Sequence, residues 1–223
     1  GSDKQTFYKL SQSKEKDSIY DMAKDLFKGG GIHGDHALIE AALSLRNFYK
    51  LVGLGVPFPH DKYGMYVGYQ TDHDSSSRAT SAGPLTSKYM TEALERSVKS
   101  KGIPVLDDMQ LVKLLVKDNE AYGLVSLSKD GFNIVFSPNI VLATGGPAGM
   151  YRDYVFPPSQ VGAAGVAFDA GCDGVNLTEW QYGIASTKFR WNLSGTYQQV
   201  VPRYVSTDQE GNDPKDFLFE HFS

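Results

Sequence analysis

Four consecutive residues near the middle of the chain could bring a ligand close to the backbone. Ala143, Thr144, Gly145 and Gly146 follow a short apolar run at residues 140–142. Because two successive glycines carry no Cβ, a phosphate or ribose can approach the backbone N–H groups without steric hindrance. The pattern therefore predicts a nucleotide contact at this tetrapeptide.

Three arginines are candidates for binding a substrate carboxylate, because the guanidinium group offers a rigid fork of N–H donors. Arg78 lies in a long irregular segment, residues 57–83, which favours a functional loop. Arg190 and Arg203 lie in the aromatic C-terminal part. The run around Arg190 could also stack on RNA bases or simply cover aromatic surface, so those alternatives stay open.

Other patterns of reactive or metal-binding residue types favour structural roles. A G-x-G-x-x-G pattern begins at Gly29, but a helix instead of a strand is expected before it, unlike a dinucleotide fingerprint. His33 and His36 are close in sequence but lack the further ligands that a metal site requires. Cys172 follows a predicted helix end and is expected to be a small buried residue. No metal site is predicted.

Composition narrows the classes of partner. The 223 residues include 22 Lys and Arg against 26 Asp and Glu, so the formal net charge is −4. This balance disfavours binding to nucleic acid, which depends on neutralising phosphates. A single cysteine excludes an internal disulfide framework. No apolar run is long enough to span a bilayer, and no signal peptide is visible, so we expect a cytoplasmic location and no membrane span.

Apolar residues at helical spacing predict four helices. Two of them, at about residues 19–28 and 35–52, are joined by a short glycine turn and should form a helical hairpin. A third helix is expected over residues 84–101, with a proline in its first turn. A fourth is expected over residues 162–170.

Strand signals cluster in the second half of the chain. Residues 103–106 predict a first strand, and residues 111–116, 122–128 and 132–136 predict a β-meander with two tight turns. Residues 139–143 form a wholly apolar run, which is typical of a strand buried on both faces of a parallel sheet. The pattern predicts an α/β fold.

Four segments in this order resemble the flavoprotein family of fumarate reductases, succinate dehydrogenases and L-aspartate oxidases. They are the helical pair at residues 28–58, which ends in Gly-Val-Pro-Phe, the arginine loop and helix start at residues 77–90, the ATGG segment at residues 140–146, and the helix that ends at residues 169–172. The resemblance covers about residues 18–182.

The resemblance implies FAD as the cofactor and a doubly wound FAD-binding fold, of which this chain would hold a part. The chain itself would be mixed α+β, with the β-meander and the helical hairpin. Residues matching the family's adenine-contacting strand are Gln110 and Leu111. Residues matching those near the FAD ribose and pyrophosphate are Ala143, Thr144, Gly145 and Gly146.

The chain also departs from the family pattern. The family's opening G-x-G-x-x-G strand would lie before residue 1, and its capping domain and closing FAD segment after residue 223. Residues 161–164 read Val-Gly-Ala-Ala where the family has Thr-Gly-Asp-Gly, and residues 181–187 lack the histidine of the family's Gln-x-His-Pro-Thr signature. No catalytic residue is assigned.

These observations lead to one main hypothesis and two alternatives. The chain is expected to be part of an FAD-dependent oxidoreductase that transfers a hydride between flavin and a small carboxylate-bearing substrate, and to be inactive by itself. The alternatives are a non-enzymatic ligand-binding module and a homo-oligomer formed through surfaces exposed by truncation. The expected divisions are a polar lead-in (1–17), a partial FAD-binding domain (18–182) and the start of a substrate or capping region (183–223).

Overall fold

The computed structural model combines helices with strands, as the sequence predicts, and its strands form three small antiparallel sheets. It describes residues 6–12, 16–71, 74–145, 162–177, 185–186, 191–192 and 203–222. The elements are β1 (Phe7–Tyr8), α1 (Ile19–Lys28), α2 (Gly34–Gly53), β2 (Ala79–Thr80), α3 (Thr86–Ser100), β3 (Gln110–Lys117), β4 (Glu120–Ser128), β5 (Gly131–Phe136), α4 (Ala164–Asp169), β6 (Ala185–Ser186), β7 (Trp191–Asn192) and α5 (Phe217–Phe222).

The helical hairpin is confirmed, and side chains cap both of its helices. Ser18 Oγ accepts a hydrogen bond from the backbone N–H of Asp21 and satisfies one free donor at the start of α1. His33 Nδ1 accepts from the N–H of Asp35 at 3.3 Å and caps α2 in the same way. Gly30 has a φ of +80°, so the turn between the helices uses a conformation that favours glycine. His33 therefore has a structural role.

An aromatic core lies between α2, α3 and the turn that follows α2. Phe48 is fully buried, and its ring centroid lies 4.8 Å from that of Phe58 and 5.2 Å from that of Tyr66. Val56 and Phe58 belong to the Gly-Val-Pro-Phe turn, which folds back onto the helix that precedes it. The turn thus supplies core side chains as well as reversing the chain.

Lys9 is buried in this core and has no exposed surface. Its Nζ donates to the backbone oxygen of Tyr66 at 2.9 Å and lies 5.1 Å from the centroid of the Phe48 ring. Burial lowers the pKa of Lys9, because desolvation disfavours the charged form. The strand before it, β1, pairs antiparallel with β2. Part of the expected polar lead-in is therefore packed into the fold.

An ion cluster around Arg78 connects the loop before β2 with α1 and the residues just before it, which lie 53–61 residues away in sequence. Its Nη2 donates to Asp17 at 2.7 Å, and its Nη1 donates to Asp25 at 2.6 Å and to Asp74 at 3.0 Å. Asp17 precedes α1, Asp25 lies within α1 and Asp74 lies in the loop before β2. Arg78 itself is only 2% exposed, so the three segments meet around one buried guanidinium.

The β-meander of β3, β4 and β5 is confirmed, with both connections as tight turns. The turn between β3 and β4 has Asp118 and Asn119 at φ values of +52° and +63°, the left-handed pair that suits a hairpin twist. The second turn brings Ser128 opposite Gly131, which has a φ of +115°. The register is interrupted in β3 between Leu111 and Lys113, where the pairing shifts by one residue.

The strands predicted at residues 103–106 and 139–143 are wrong for this structure. Neither segment has regular secondary structure or pairs with a strand in the described residues, whose three sheets are all antiparallel. Val141 is 89% exposed. An apolar run marks a segment suited to a parallel sheet, but a strand also requires a hydrogen-bonding neighbour, which the run cannot supply.

No helix in the described part of the chain is long and apolar enough to cross a membrane.

Replacing Arg78 by methionine should destabilise the fold by about 3–5 kcal/mol, because three carboxylates would lose their shared buried cation. The free energy of unfolding in urea measures this loss. Arg46→Met is the control, since Arg46 is exposed on α2 and should change stability by less than about 0.5 kcal/mol. Equal effects of the two substitutions would contradict a stabilising role for the cluster.

Stability should rise with pH as Lys9 loses its proton. The pKa of Lys9 is lowered in the folded state, so between that value and the ordinary 10.5 the unfolded chain binds more protons. The cost of burying the charge is therefore fully present below the folded-state pKa and is relieved as the pH approaches 10.5. The free energy of unfolding in urea should rise with pH in this range in the unmodified protein, and this rise should be absent in Lys9→Met. An identical slope in both proteins would refute the assignment.

Candidate functional site

Residues 143–145 form an exposed backbone segment whose conformation suits close approach of a ligand. Ala143, Thr144 and Gly145 are all exposed, and Gly145 has a φ of +80°. A Cβ at this residue would be strained, and its absence leaves the neighbouring N–H groups open to a phosphate or ribose oxygen. This backbone therefore fits a nucleotide cofactor. Gly146 lies outside the described residues.

Gln110 and Leu111 open strand β3 at one end of the meander. Gln110 is exposed and pairs with Leu127, whereas Leu111 is half-buried and pairs with Ser126. Beside them, Met109 Sδ accepts a weak hydrogen bond from Ser126 Oγ at 4.0 Å. The start of β3 thus offers an exposed strand edge with polar neighbours.

The structure gives Arg78 a set of partners different from the expected substrate carboxylate. Its Nε and Nη2 donate to Asp17 at 3.0 and 2.7 Å, and its Nη1 donates to both Asp25 and Asp74. The fork of donors is directed at the chain's own carboxylates. Arg78 therefore holds the loop before β2 in place, and this geometry does not present it to a ligand carboxylate.

The ionisation of the cluster follows from these contacts. Burial would raise the pKa of Asp17, but hydrogen bonds from Arg78 and from the backbone N–H of Ser11 lower it overall. Hydrogen bonds from Ser75 and then from Arg78 lower the pKa of Asp25. Desolvation would lower the pKa of Arg78, but the hydrogen bonds to the carboxylates of Asp17 and Asp25 raise it. The arginine and both acids are therefore charged at neutral pH.

A cavity of about 240 Å³ lies against the Arg78 cluster. Its wall includes Met22 and Leu26 on α1 and Tyr8 on β1, together with the charged groups of Asp25 and Asp74. Three carboxylates surround one guanidinium, so the charge beside this cavity is negative. That charge disfavours a carboxylate ligand here.

The other two candidate arginines lie elsewhere in the chain. Arg203 is exposed, and its Nε donates to Asp216 Oδ2 at 2.8 Å. Ser206 and Lys215 form an isolated antiparallel bridge, which closes the loop between them and lies next to the Arg203–Asp216 contact in sequence. Arg190 lies outside the described residues. Within the described residues, no group of three or more His, Cys, Asp or Glu side chains could hold a metal ion.

Sequence reasoning missed the three aspartates and Lys9. Asp17 and Asp74 lie in segments without a motif that marks an ion pair. Asp25 lies on α1, where an acidic residue is ordinary, and Lys9 lies in a polar segment. Spacing in the sequence does not show that these side chains converge, because the partners of Arg78 lie up to 61 residues away.

Most of the sequence is similar to known proteins. Residues 5–203 match the family described as FAD binding domain. An uncharacterized FAD-dependent oxidoreductase of Methanocaldococcus jannaschii is 27% identical over 173 residues, which are 75% of this chain and 32% of that protein. The L-aspartate oxidase of Mesorhizobium japonicum is 27% identical over 134 residues, which are 59% of this chain and 26% of that enzyme. The chain spans about a quarter to a third of the length of these relatives.

Solved structures share the fold. A quinol fumarate reductase of E. coli aligns with a TM-score of 0.64 at 20% identity, covering 73% of this chain and 29% of that chain. The 3-ketosteroid-delta4-(5alpha)-dehydrogenase of Rhodococcus jostii aligns with a TM-score of 0.58 at 15% identity, covering 76% of this chain and 45% of that chain. The family match and these relatives indicate FAD as the cofactor. Because the match extends over most of its length, the chain belongs to the FAD-binding domain family.

Proposed function

We propose that this chain is the part of an FAD-dependent oxidoreductase that holds the nucleotide side of the cofactor. The observation that carries the proposal is the exposed segment 143–145, with Gly145 in a left-handed conformation, inside a chain that matches an FAD-binding family. When bound, FAD supplies a centre that accepts or donates a hydride. The chain's own residues bind the cofactor and orient it.

The cofactor contacts are divided between two places. The start of β3, with Gln110 and Leu111, borders the adenine. The backbone of Ala143, Thr144 and Gly145, continued by Gly146, borders the ribose and pyrophosphate. Backbone N–H donors suit the pyrophosphate because charge-assisted hydrogen bonds are roughly twice as strong as neutral ones.

We further propose that the substrate carries a carboxylate next to the carbon that exchanges the hydride. Several relatives are named for carboxylate compounds, as L-aspartate oxidase and fumarate reductase. Arg203, which is exposed, and Arg190 are the candidates for holding that carboxylate. Arg78 acts as a positioning residue, because its donors hold the loop that leads into β2 and α3.

A non-enzymatic ligand-binding module is the second candidate. The observation that favours it is that Arg78 is occupied by internal carboxylates, which leaves fewer groups to hold a substrate. Such a module would bind its ligand equally well with and without FAD. The oxidoreductase instead requires that FAD binds, so FAD titration separates the two.

Gly145→Ala should weaken FAD binding about tenfold or more, because a Cβ would strain the left-handed backbone of the proposed site. Titration of FAD against the purified chain, followed by flavin fluorescence, measures the dissociation constant. Gly102→Ala is the matched control. Gly102 follows α3 and has a φ of +66°, and a Cβ added there would meet no other atom within 4 Å. It carries the same kind of strain away from the proposed site. Equal dissociation constants for the two variants, or no saturable binding to the unmodified chain, would refute the proposal.

Titration with succinate should distinguish the three arginines. In NMR spectra of the guanidinium Nε–Hε groups, we expect the signals of Arg190 and Arg203 to shift and that of Arg78 to stay fixed, because its donors already hold three carboxylates. Sodium chloride at matched ionic strength controls for screening, and Arg203→Lys assigns the Arg203 signal. A shift confined to Arg78 would overturn the assignment of the substrate carboxylate.

A further inference from the structure

The outer edge of strand β5 is unpaired. The meander has the strand order β3-β4-β5, so β5 forms one edge of the sheet, and no strand among the described residues lies beyond it. The backbone of Ser137 donates to Tyr122 on β4 at 3.0 Å, and Gly131 pairs with Ser128 on the same side. Because bonding direction alternates along a strand, the backbone groups of Phe132, Ile134 and Phe136 point outward from the sheet.

The two edges of this sheet differ in their protection against pairing. On β3, Lys113 and Lys117 are exposed and a register shift interrupts the strand, which are two common devices that block edge pairing. Strand β5 has neither: residues 131–142 contain no charged side chain, and the pairing of β5 with β4 is regular over all six residues. Only the β5 edge is therefore open to another strand.

The side chains on this edge are large and exposed. Phe132, Ile134 and Phe136 are 72%, 59% and 74% exposed, and they share one face of the strand because they alternate with residues 133 and 135. An aromatic side chain can bury roughly 150–250 Å², so these three side chains expose roughly 400 Å² per copy. Side-by-side pairing of two strands covers only the sides of these side chains that face the partner, so we expect an interface below roughly 1,000 Å² and a reversible association.

The order of these residues is symmetric about Ile134. A two-fold interface requires that the same surface fits itself. If two β5 strands pair antiparallel with Ile134 opposite Ile134, Phe132 of each copy lies opposite Phe136 of the other. All three pairs then use outward-pointing backbone groups, and each phenylalanine gains an aromatic cross-strand neighbour.

We propose that two copies of this chain associate through their β5 strands, in the register centred on Ile134, to form a continuous six-stranded antiparallel sheet. The occupant of the open edge is a second copy because the strand is uncharged, self-complementary and free of the devices that protect β3. The association uses neither the arginines nor residues 143–145. Its test is therefore independent of the test of the proposed oxidoreductase function.

Sedimentation equilibrium on the full chain tests the association. We expect a reversible dimer whose dissociation constant is weakened at least tenfold by Ile134→Lys, because two lysines would face each other in the register. The matched control is Ile39→Lys, which makes the same change at a residue of similar exposure, 55%, on α2. Circular dichroism verifies that both variants are folded. A monomer at millimolar concentration, or equal weakening by both variants, would overturn the proposal.

Disulfide trapping tests the register separately. In a Cys172→Ser background, Ile134→Cys places two thiols across a hydrogen-bonded pair with a Cα separation of about 5.5 Å, within the range of a disulfide. Mild oxidation should therefore yield a covalent dimer from Ile134→Cys. Phe136→Cys should yield none, because the two cysteines would lie four residues out of register. Equal crosslinking of the two variants would exclude this register.

Discussion

The buried guanidinium of Arg78 is the interaction on which the arrangement of the N-terminal half depends. One cation satisfies carboxylates from the segment before α1, from α1 itself and from the loop before β2. Charges out of water are tolerated only when they are paired with good geometry, so these segments are held in one relative position. The β1–β2 pair, the entry to α3 and the cavity beside α1 all lie next to this constraint.

The proposed cofactor contacts belong to a different part of the chain and rest on backbone geometry. The start of β3 is fixed by the meander, whereas residues 143–145 follow an apolar segment that has no neighbouring strand among the described residues. The chain covers about a third or less of the curated relatives it matches. The proposed nucleotide contacts rest on the backbone conformation at Gly145, which has a φ of +80°.

Local patterns in the sequence predicted much of the fold. The helical hairpin, α3, the meander and α4 follow from apolar periodicity and from turn residues such as Asn119 and Gly131, which act over a few positions. The strands expected at residues 103–106 and 139–143 failed because pairing depends on a neighbour. The partners of Arg78 could not be predicted, since side chains far apart in sequence meet only through the tertiary fold. Resemblance to a family, in contrast, identified the cofactor.

The β1–β2 pair and the ion pairs of Arg78 join residues that are far apart in sequence. This separation has a consequence for the order of folding. The helical hairpin and the meander are built from contacts between near neighbours in sequence, which close small loops at little entropic cost. Arg78 reaches Asp17 across 61 residues and Asp25 across 53. These contacts must wait until a much larger loop closes. We therefore expect the two local units to form early, and docking of β1 against β2, with burial of Lys9, to be a late step in folding.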